Sequence, residues 1–543
     1  MQRRVSGFIL LTKIRPKSAR NCIWNSESVR RRKPLHLSDL IPVAVDAHAD
    51  KATISTLEIT GISSDSRKAA AGHLFVAING NSSDGRAYAA TAVEAGAVAI
   101  LTDARELDDS LTALATSGVP VLRSDDPRRD LAHAAARFWR RQPGMVAAVT
   151  GTNGKTSTAE FLRQIWSRVT WDAVSIGTLG LQGADPRAMQ GSIMGLPALT
   201  TPDAVSLHSA LAPLTTAGVT HLALEASSHG LAQRRLDGLN IHIAAFTNLT
   251  RDHLDHHPDM ESYFAAKARL FTELLMPGGT AVINIDDPYG ARLAEMIRGD
   301  GPRQHVLLTI GTDPAADFHI TAITPMEFGL EVGVEHAGTS HRIPMALAGT
   351  FQAINAITAA VMAHASGLPI HDSLFALPYV TGADGRMQLV TGHPSGARVI
   401  VDYAHTPDAL RAALSALRPE AKGRLAVLFG AGGDRDPGKR SMMGKVAQDG
   451  ADLVYVTDDN PRSEDPGDIR KAILDGCPDA VEIADRGAAI TAALGELSAE
   501  DVLLIAGKGH ENFQLVGDET LPFSDSSVAR NAIKRLTSEG GAG

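Results

Sequence analysis

Thr150-Gly151-Thr152-Asn153-Gly154-Lys155-Thr156-Ser157 follows the apolar run Met145-Val146-Ala147-Ala148-Val149 and precedes a helical pattern that begins near Ala159. A strand, a glycine turn and a helix N-terminus in that order make an anion trap. Backbone N–H groups and the helix dipole face a phosphate, Lys155 adds a point charge, and Thr156 offers a hydroxyl to Mg2+. The spacing departs from G-x-x-x-x-G-K-[ST], because Val149 stands where the first glycine belongs. By that template alone the segment reads either as a nucleoside triphosphate loop or as a glycine turn before a helix.

Other residues have the chemistry to serve such a loop. Glu225 ends the run Thr220-His221-Leu222-Ala223-Leu224, where an acid can reach Mg2+ beside Thr156. The stretch Asn248–His257 holds His253, His256 and His257, but no H-E-x-x-H or cysteine partner accompanies them, which argues against zinc. Lys267 lies in an amphipathic helical pattern, where a lysine ordinarily snorkels into solvent. Asp459-Asn460-Pro461-Arg462, read in isolation, is an Asn-Pro turn.

These residues need several domains to carry them. A chain of 543 residues is too long for one core. It is 44% hydrophobic and 21% charged, and no apolar run approaches the roughly 20 residues of a membrane span. Cys22 and Cys477 do not make a disulfide framework, which suits a reducing cytoplasm. The net charge of −9 is uneven: residues 1–33 carry ten Lys or Arg against Glu27, so the remainder is strongly acidic. That balance argues against nucleic acid as a partner of the globular part. Residues 1–34 read as a disordered basic leader or an upstream translation start. A transit peptide is an alternative, and the apolar core Phe8–Leu11 is too short for a signal peptide. The fold expected is α/β in three blocks. The first, 35–143, is a smaller α/β domain. The second, 144–380, is a mostly parallel sheet carrying the loop. The third, 381–543, is Rossmann-like, with ligands at the C-terminal ends of its strands.

The form T-G-T-x-G-K-T resembles the loop of the Mur ligases and folylpolyglutamate synthetases. Those enzymes use ATP to activate a carboxylate as an acyl phosphate that an amine then attacks. The resemblance implies ATP contacts at Gly151, Thr152, Asn153, Gly154, Lys155, Thr156 and Ser157. It implies Mg2+ at Thr156 and Glu225, and a second Mg2+ at His253 and Lys267, the lysine carbamylated to N6-carboxylysine. Lys155, Glu225, His253 and Lys267 are thus the implied catalytic set. Asn355 resembles the asparagine that approaches the adenine, and Arg386, Asp402 and His405 resemble third-domain elements that close on ATP.

Within the family the similarity narrows to enzymes that add the third residue of the peptidoglycan stem peptide. It implies contacts of Ser66 and Asn81 with a UDP-sugar, and of Thr200, Thr201, Ser227, Gln233 and Arg235 with the muramoyl-dipeptide. The D-N-P-R form of Asp459, Asn460, Pro461 and Arg462 implies meso-diaminopimelate, with Arg435, Gly507 and Glu511 completing the pocket. The chemistry agrees, because a guanidinium can clamp through two parallel hydrogen bonds the extra carboxylate that lysine lacks. Lysine would leave the arginines unpaired, and a missing polar partner in a desolvated site discriminates by roughly 10^4-fold.

The expectation is therefore a cytoplasmic, monomeric ATP- and Mg2+-dependent amide ligase. Its substrates would be UDP-N-acetylmuramoyl-L-alanyl-D-glutamate, meso-diaminopimelate and ATP, with neither nucleic acid nor membrane as partner. Three alternatives stand beside it: an L-lysine-adding relative, a folylpolyglutamate synthetase-like ligase, and a nucleotide-binding regulator without catalysis. Arg462 weighs against the first and the block holding Asp65-Ser66-Arg67 against the second. The intact set Lys155, Glu225, His253 and Lys267 weighs against the third.

Overall fold

The computed structural model describes residues 35–42, 46–49, 51–80, 83–183, 196, 199–252, 256–299, 303–326 and 329–540. The basic leader, Asn81 and His253 lie outside the described residues. Among those described, no helix is long and apolar enough to cross a membrane.

Three sheets organise the chain. The first has five strands in the order Asp46–His48, Val121–Ser124, Ala99–Asp103, His73–Val76 and Gly61–Ser63, all parallel except the Asp46–His48 edge. The central sheet has ten strands. Its order is Gly180–Gln182, Ala173–Gly177, His221–Glu225, Met145–Thr150, Ile241–Phe246, Leu275–Asn284, Val306–Gly311, Phe318–Met326, Gly329–His336 and Thr339–Met345. The expected parallel pattern holds from Ala173–Gly177 through Phe318–Met326. Beyond it the sheet ends in two antiparallel pairings made by Gly329–His336. That extension alternates buried Leu330, Val332 and Val334 with more exposed neighbours, the period of a one-sided antiparallel sheet.

Met145–Thr150 is buried on both faces, as a central parallel strand must be. Helices Lys155–Arg168 and Thr350–Ala365 cover one face through Phe161, Leu162, Ile165, Ala356 and Ala360. Helices Ala204–Thr216 and Met260–Arg269 cover the other through Leu207, Leu211, Tyr263 and Phe264. The helix after the phosphate loop starts at Lys155, four residues earlier than the apolar periodicity suggests. Thr156 and Ser157 belong to its first turn, although their side chains are polar.

The third sheet has the order Gln388–Val390, Arg398–Asp402, Val502–Ala506, Leu425–Phe429, Leu453–Val456 and Val481–Glu482. Only the Gln388–Val390 edge is antiparallel. Asp402 ends one of its strands, while Asp459 and Gly507 follow the ends of two others, on one side of the sheet. This is where an open parallel α/β sheet binds ligands.

Candidate active site

Strand pairing sets the surroundings of the phosphate loop. Val149 is in register with Glu225 on one side, and Thr150 with Phe246 on the other. The loop is therefore flanked by Glu225 and by Thr247-Asn248. Thr247 Oγ1 donates to the Asn153 carbonyl at 2.6 Å, Asn153 N–H to Asn248 Oδ1 at 3.0 Å, and Thr152 N–H to the Asn248 carbonyl at 2.9 Å. Gly154 has φ +87°, a left-handed conformation that glycine adopts without strain. A Cβ there would also lie 2.4 Å from Asn355 Oδ1, so the close approach of the Thr350–Ala365 helix requires glycine as well.

Two lysines meet on one carbonyl. Lys155 Nζ donates to the Gly151 and Thr152 carbonyls at 2.9 and 2.8 Å, and Lys267 Nζ donates to the same Gly151 carbonyl at 2.7 Å. Lys267 reaches the loop because Asp259 caps its helix through Ser262 N–H at 2.7 Å, and Tyr263 and Lys267 then share one buried face. Its amine lies 4.6 Å from the Tyr263 ring centre, and Tyr263 Oη is 3.2 Å from Thr152 Oγ1. The snorkelling position that an amphipathic pattern suggests is not adopted: Lys267 is 1% exposed. Burial, with repulsion from Lys155 added, holds its amine well below the ordinary lysine range. Desolvation also lowers Lys155, against the attraction of Glu225.

On the other flank, Glu225 Oε2 accepts from Thr156 Oγ1 at 2.9 Å and from Thr178 Oγ1 at 3.2 Å, while Oε1 accepts from Thr178 N–H at 2.7 Å. Burial raises the Glu225 carboxyl above its ordinary value, opposed by Lys155. The described His, Cys, Asp and Glu side chains include no ready-made group of three for a metal. A cation here would need Thr156, phosphate oxygens or residues outside the described set.

Thr200, Thr201, Ser227, Gln233 and Arg235 come together beside Glu225. Thr201 Oγ1 donates to the Glu225 carbonyl at 2.7 Å and accepts from Ser227 N–H at 2.9 Å. Arg235 donates to the Thr201 carbonyl at 2.5 Å and to Gln233 Oε1 at 2.7 Å. Thr200 Oγ1 is 3.1 Å from Thr178 Oγ1. Ser66 stands apart, opening a short 3-10 turn in the first sheet unit, where Asp65 caps Arg67 N–H at 3.1 Å.

The third sheet grips the central domain at the Thr350–Ala365 helix. Gly349 N–H, at its N-terminus, donates to Glu420 Oε1 at 2.7 Å, and Arg398 pairs with the same carboxylate at 2.6 Å. Gln352 donates to the Arg386 carbonyl at 2.8 Å and accepts from Asn355 Nδ2 at 3.1 Å, so Asn355 is linked to Arg386 through one amide. The Arg386 guanidinium lies 4.8 Å from the Tyr403 ring centre, and its Nε is buried without a hydrogen-bond partner among the described residues. Asp402 accepts from Met387 N–H at 2.8 Å and Ala404 N–H at 2.9 Å, and His405 Nδ1 lies 2.8 Å from the Tyr403 carbonyl.

Asp459–Arg462 folds against Gly507–Glu511. Asn460 Nδ2 donates to Glu511 Oε2 at 2.9 Å. Gly507 has φ +113°, and a Cβ there would lie 2.7 Å from Asp459 Oδ2. Arg462 is at φ +53°, held by its N–H to the Leu515 carbonyl at 3.1 Å, and its guanidinium donates to the Gly433 carbonyl at 2.7 Å. Arg435, on the next loop, is exposed, with one hydrogen bond of 3.4 Å to the Asp434 carbonyl.

Three family profiles match in order: the Mur ligase family catalytic domain over residues 58–139, the Mur ligase middle domain over 149–363, and the Mur ligase glutamate ligase domain over 385–509. A UDP-N-acetylmuramoyl-L-alanyl-D-glutamate--2,6-diaminopimelate ligase from Chelativorans sp. (strain BNC1) is 46% identical over 92% of this chain and 99% of its own. The chain belongs to the Mur ligase family. A ligase of the same description from Rhizobium meliloti (strain 1021) is 48% identical over 90% of this chain and 96% of its own. A solved structure of a ligase with that description superposes with a TM-score of 0.69 at 32% identity, covering 93% of this Mur ligase and 100% of that chain.

The sequence alone does not single out several residues of this Mur ligase site. Thr178, which holds Glu225, follows the strand Ala173–Gly177 and carries no motif. Gln352 lies one helical turn before Asn355, a spacing that could have flagged it. Lys508 is fully buried between Asn460 and Glu511. Its signal was a lysine held between two glycines straight after an apolar strand.

Proposed function

We propose that this Mur ligase uses ATP to join meso-2,6-diaminopimelate to the D-glutamate γ-carboxylate of UDP-N-acetylmuramoyl-L-alanyl-D-glutamate, a step of cytoplasmic peptidoglycan precursor synthesis. The observation that carries the reading is the Asp459–Arg462 loop folded against Gly507–Glu511, with a guanidinium and two carboxylates at adjoining strand ends. Such a site is suited to a substrate end bearing both an ammonium and a carboxylate. The names of the relatives support the same choice.

In this reading the loop N–H groups and Lys155 cradle the phosphates, and Arg386, whose buried Nε lacks a partner among the described residues, supplies a further cation. Asn355 faces the adenine, and Asp402 and His405 hold the third-domain side of the nucleotide. Thr200, Thr201, Ser227, Gln233 and Arg235 hold the dipeptide carboxylates, while Ser66 and Asn81 hold the UDP-sugar. A γ-carboxylate oxygen forms a bond to the γ-phosphorus of ATP as the bond to the β-bridging oxygen breaks, releasing ADP. The neutral amine at the L-centre of meso-diaminopimelate then attacks the acyl carbon. The tetrahedral intermediate loses inorganic phosphate, and the nitrogen gives up a proton to leave the amide.

Mg2+ fits the donor set on one flank, since Thr156 and Glu225 offer hard oxygen ligands 2.9 Å apart. Thr156 and Glu225 would hold one ion, and His253 with Lys267 as its carbamate a second. When bound, the ions would neutralise phosphate charge. Carbamylation joins the Lys267 amine to CO2 and releases a proton. The deep burial of Lys267 supports a neutral amine.

The test is ADP formation by purified protein with UDP-N-acetylmuramoyl-L-alanyl-D-glutamate, comparing meso-diaminopimelate with L-lysine. The expected result is turnover with the first and at least about 100-fold lower kcat/KM with the second. Equal turnover with lysine, or none with either, rejects the reading.

A further inference from the structure

Lys508 has the environment of a working residue but touches no part of the phosphate loop. Its ammonium is fully buried, 2.8 Å from Asn460 Oδ1, 3.3 Å from Glu511 Oε2 and 3.8 Å from Asp459 Oδ1. Asn460 Oδ1 also accepts Leu515 N–H at 3.0 Å, and Asn460 Nδ2 donates to Glu511 Oε2 at 2.9 Å. Both acceptor positions of the Asn460 amide oxygen are thus filled, which fixes the amide with its NH2 towards Glu511. Glu511 Oε2 is taken by two donors, whereas its Oε1 has none among the described residues. Among those residues, Lys508 is also the one cation within ion-pair distance of Asp459, whose side chain has no hydrogen-bond donor.

We propose that Lys508 is a positioning residue of the amino-acid pocket, acting through Asn460, Glu511 and Asp459 rather than touching substrate. It turns one Glu511 oxygen inward to hold Asn460 and leaves the other for an ammonium of the incoming amino acid. It also offsets one of two carboxylates, buried Asp459 and half-buried Glu511, so the acids present a single net charge to that ammonium. Without Lys508, Asp459 and Glu511 would be two like charges facing one partly desolvated site, and the Asn460 amide would be free to turn. The assignment rests on the reading that this pocket takes meso-diaminopimelate.

The experiment measures KM for each of the three substrates, and kcat, in wild type, Lys508→Met and Lys508→Gln. The second variant keeps a hydrogen-bond donor should the first fail to fold. The expected result is a rise of about 10- to 100-fold in KM for meso-diaminopimelate in Lys508→Met. KM for ATP and for the UDP-linked substrate should stay within about twofold, and Lys508→Gln should fall between wild type and Met. Combining either Lys508 variant with Glu511→Gln should cost less than the product of the two single effects, because both act on one network. A KM for meso-diaminopimelate that does not move, equal rises for all three substrates, or strictly multiplicative effects with Glu511→Gln would each overturn the proposal. Wild-type turnover of meso-diaminopimelate is measured in parallel. Its absence counts against the functional reading, and its presence with any of those results counts against Lys508 alone.

Discussion

The phosphate loop and the proposed amino-acid pocket are both built at strand ends, but from different lengths of chain. The loop is eight consecutive residues closed by their own carbonyls and by the two strands beside them. The pocket is assembled from separate loops around residues 432–435, 459–462 and 507–515, tied by side-chain hydrogen bonds. A contiguous site preserves one chemistry, the handling of a triphosphate. A site distributed over several loops can change its ligand by altering one of them. In the proposed function, reaction and specificity are therefore carried by different kinds of structure.

Four variants strain that division, from the largest effect to the smallest. Lys155→Met removes the cation from the loop and should lower kcat by about 10^3-fold or more with any amino acid. Activity within tenfold of wild type would mean the loop does not handle the transferring phosphoryl group. Arg462→Ala should lower kcat/KM for meso-diaminopimelate by about 10^2- to 10^4-fold while KM for ATP holds steady. A parallel change in both constants would erase the separation between the two sites. Gly154→Ala adds a Cβ at a left-handed position against Asn355, so KM for ATP should rise about tenfold and stability fall by about 1–2 kcal/mol. Urea titration and ATP kinetics read the two effects, and wild-type values for both would show that the helix yields.

The smallest effect on catalysis, none, comes from a scaffold residue whose contribution to stability is set by pH. Burial, with His133 adding repulsion, pushes the His208 imidazole down from 6.5 to about 4. The unfolded chain therefore takes up a proton first as pH falls. Stability present above pH 6.5 is lost on the way down to about pH 4, by up to about 3 kcal/mol. His208→Leu should flatten that part of the stability profile without altering KM for any substrate. An identical acid slope in wild type and variant would assign the loss to other groups.

The same contrast explains what the sequence made legible. The loop could be read because strand, turn and cation are contiguous, and even its off-template spacing carried information. The apolar periodicity points to a helix start four residues late, because Thr156 and Ser157 are polar residues in a first turn governed by Gly154. The pocket is legible only through resemblance, since Asp459–Arg462 taken alone is an ordinary turn. The sequence does not mark Lys508, because burial of a lysine depends on Asn460 and Glu511, about fifty residues before it and three after. Nor does it mark the antiparallel extension past Phe318–Met326, because that alternation gains meaning only once the parallel sheet has an edge to extend.

The grip of the third domain on the Thr350–Ala365 helix has a thermodynamic consequence. Glu420 holds the N-terminus of that helix and Arg386 holds Gln352, while Asn355 on the same helix abuts Gly154 of the phosphate loop. In the proposed function the nucleotide and the amino acid are thus bound by bodies that share one helix. If binding in the third domain favours this seating of the helix, it raises affinity for ATP, and reciprocity requires ATP to raise affinity for the amino acid by the same factor.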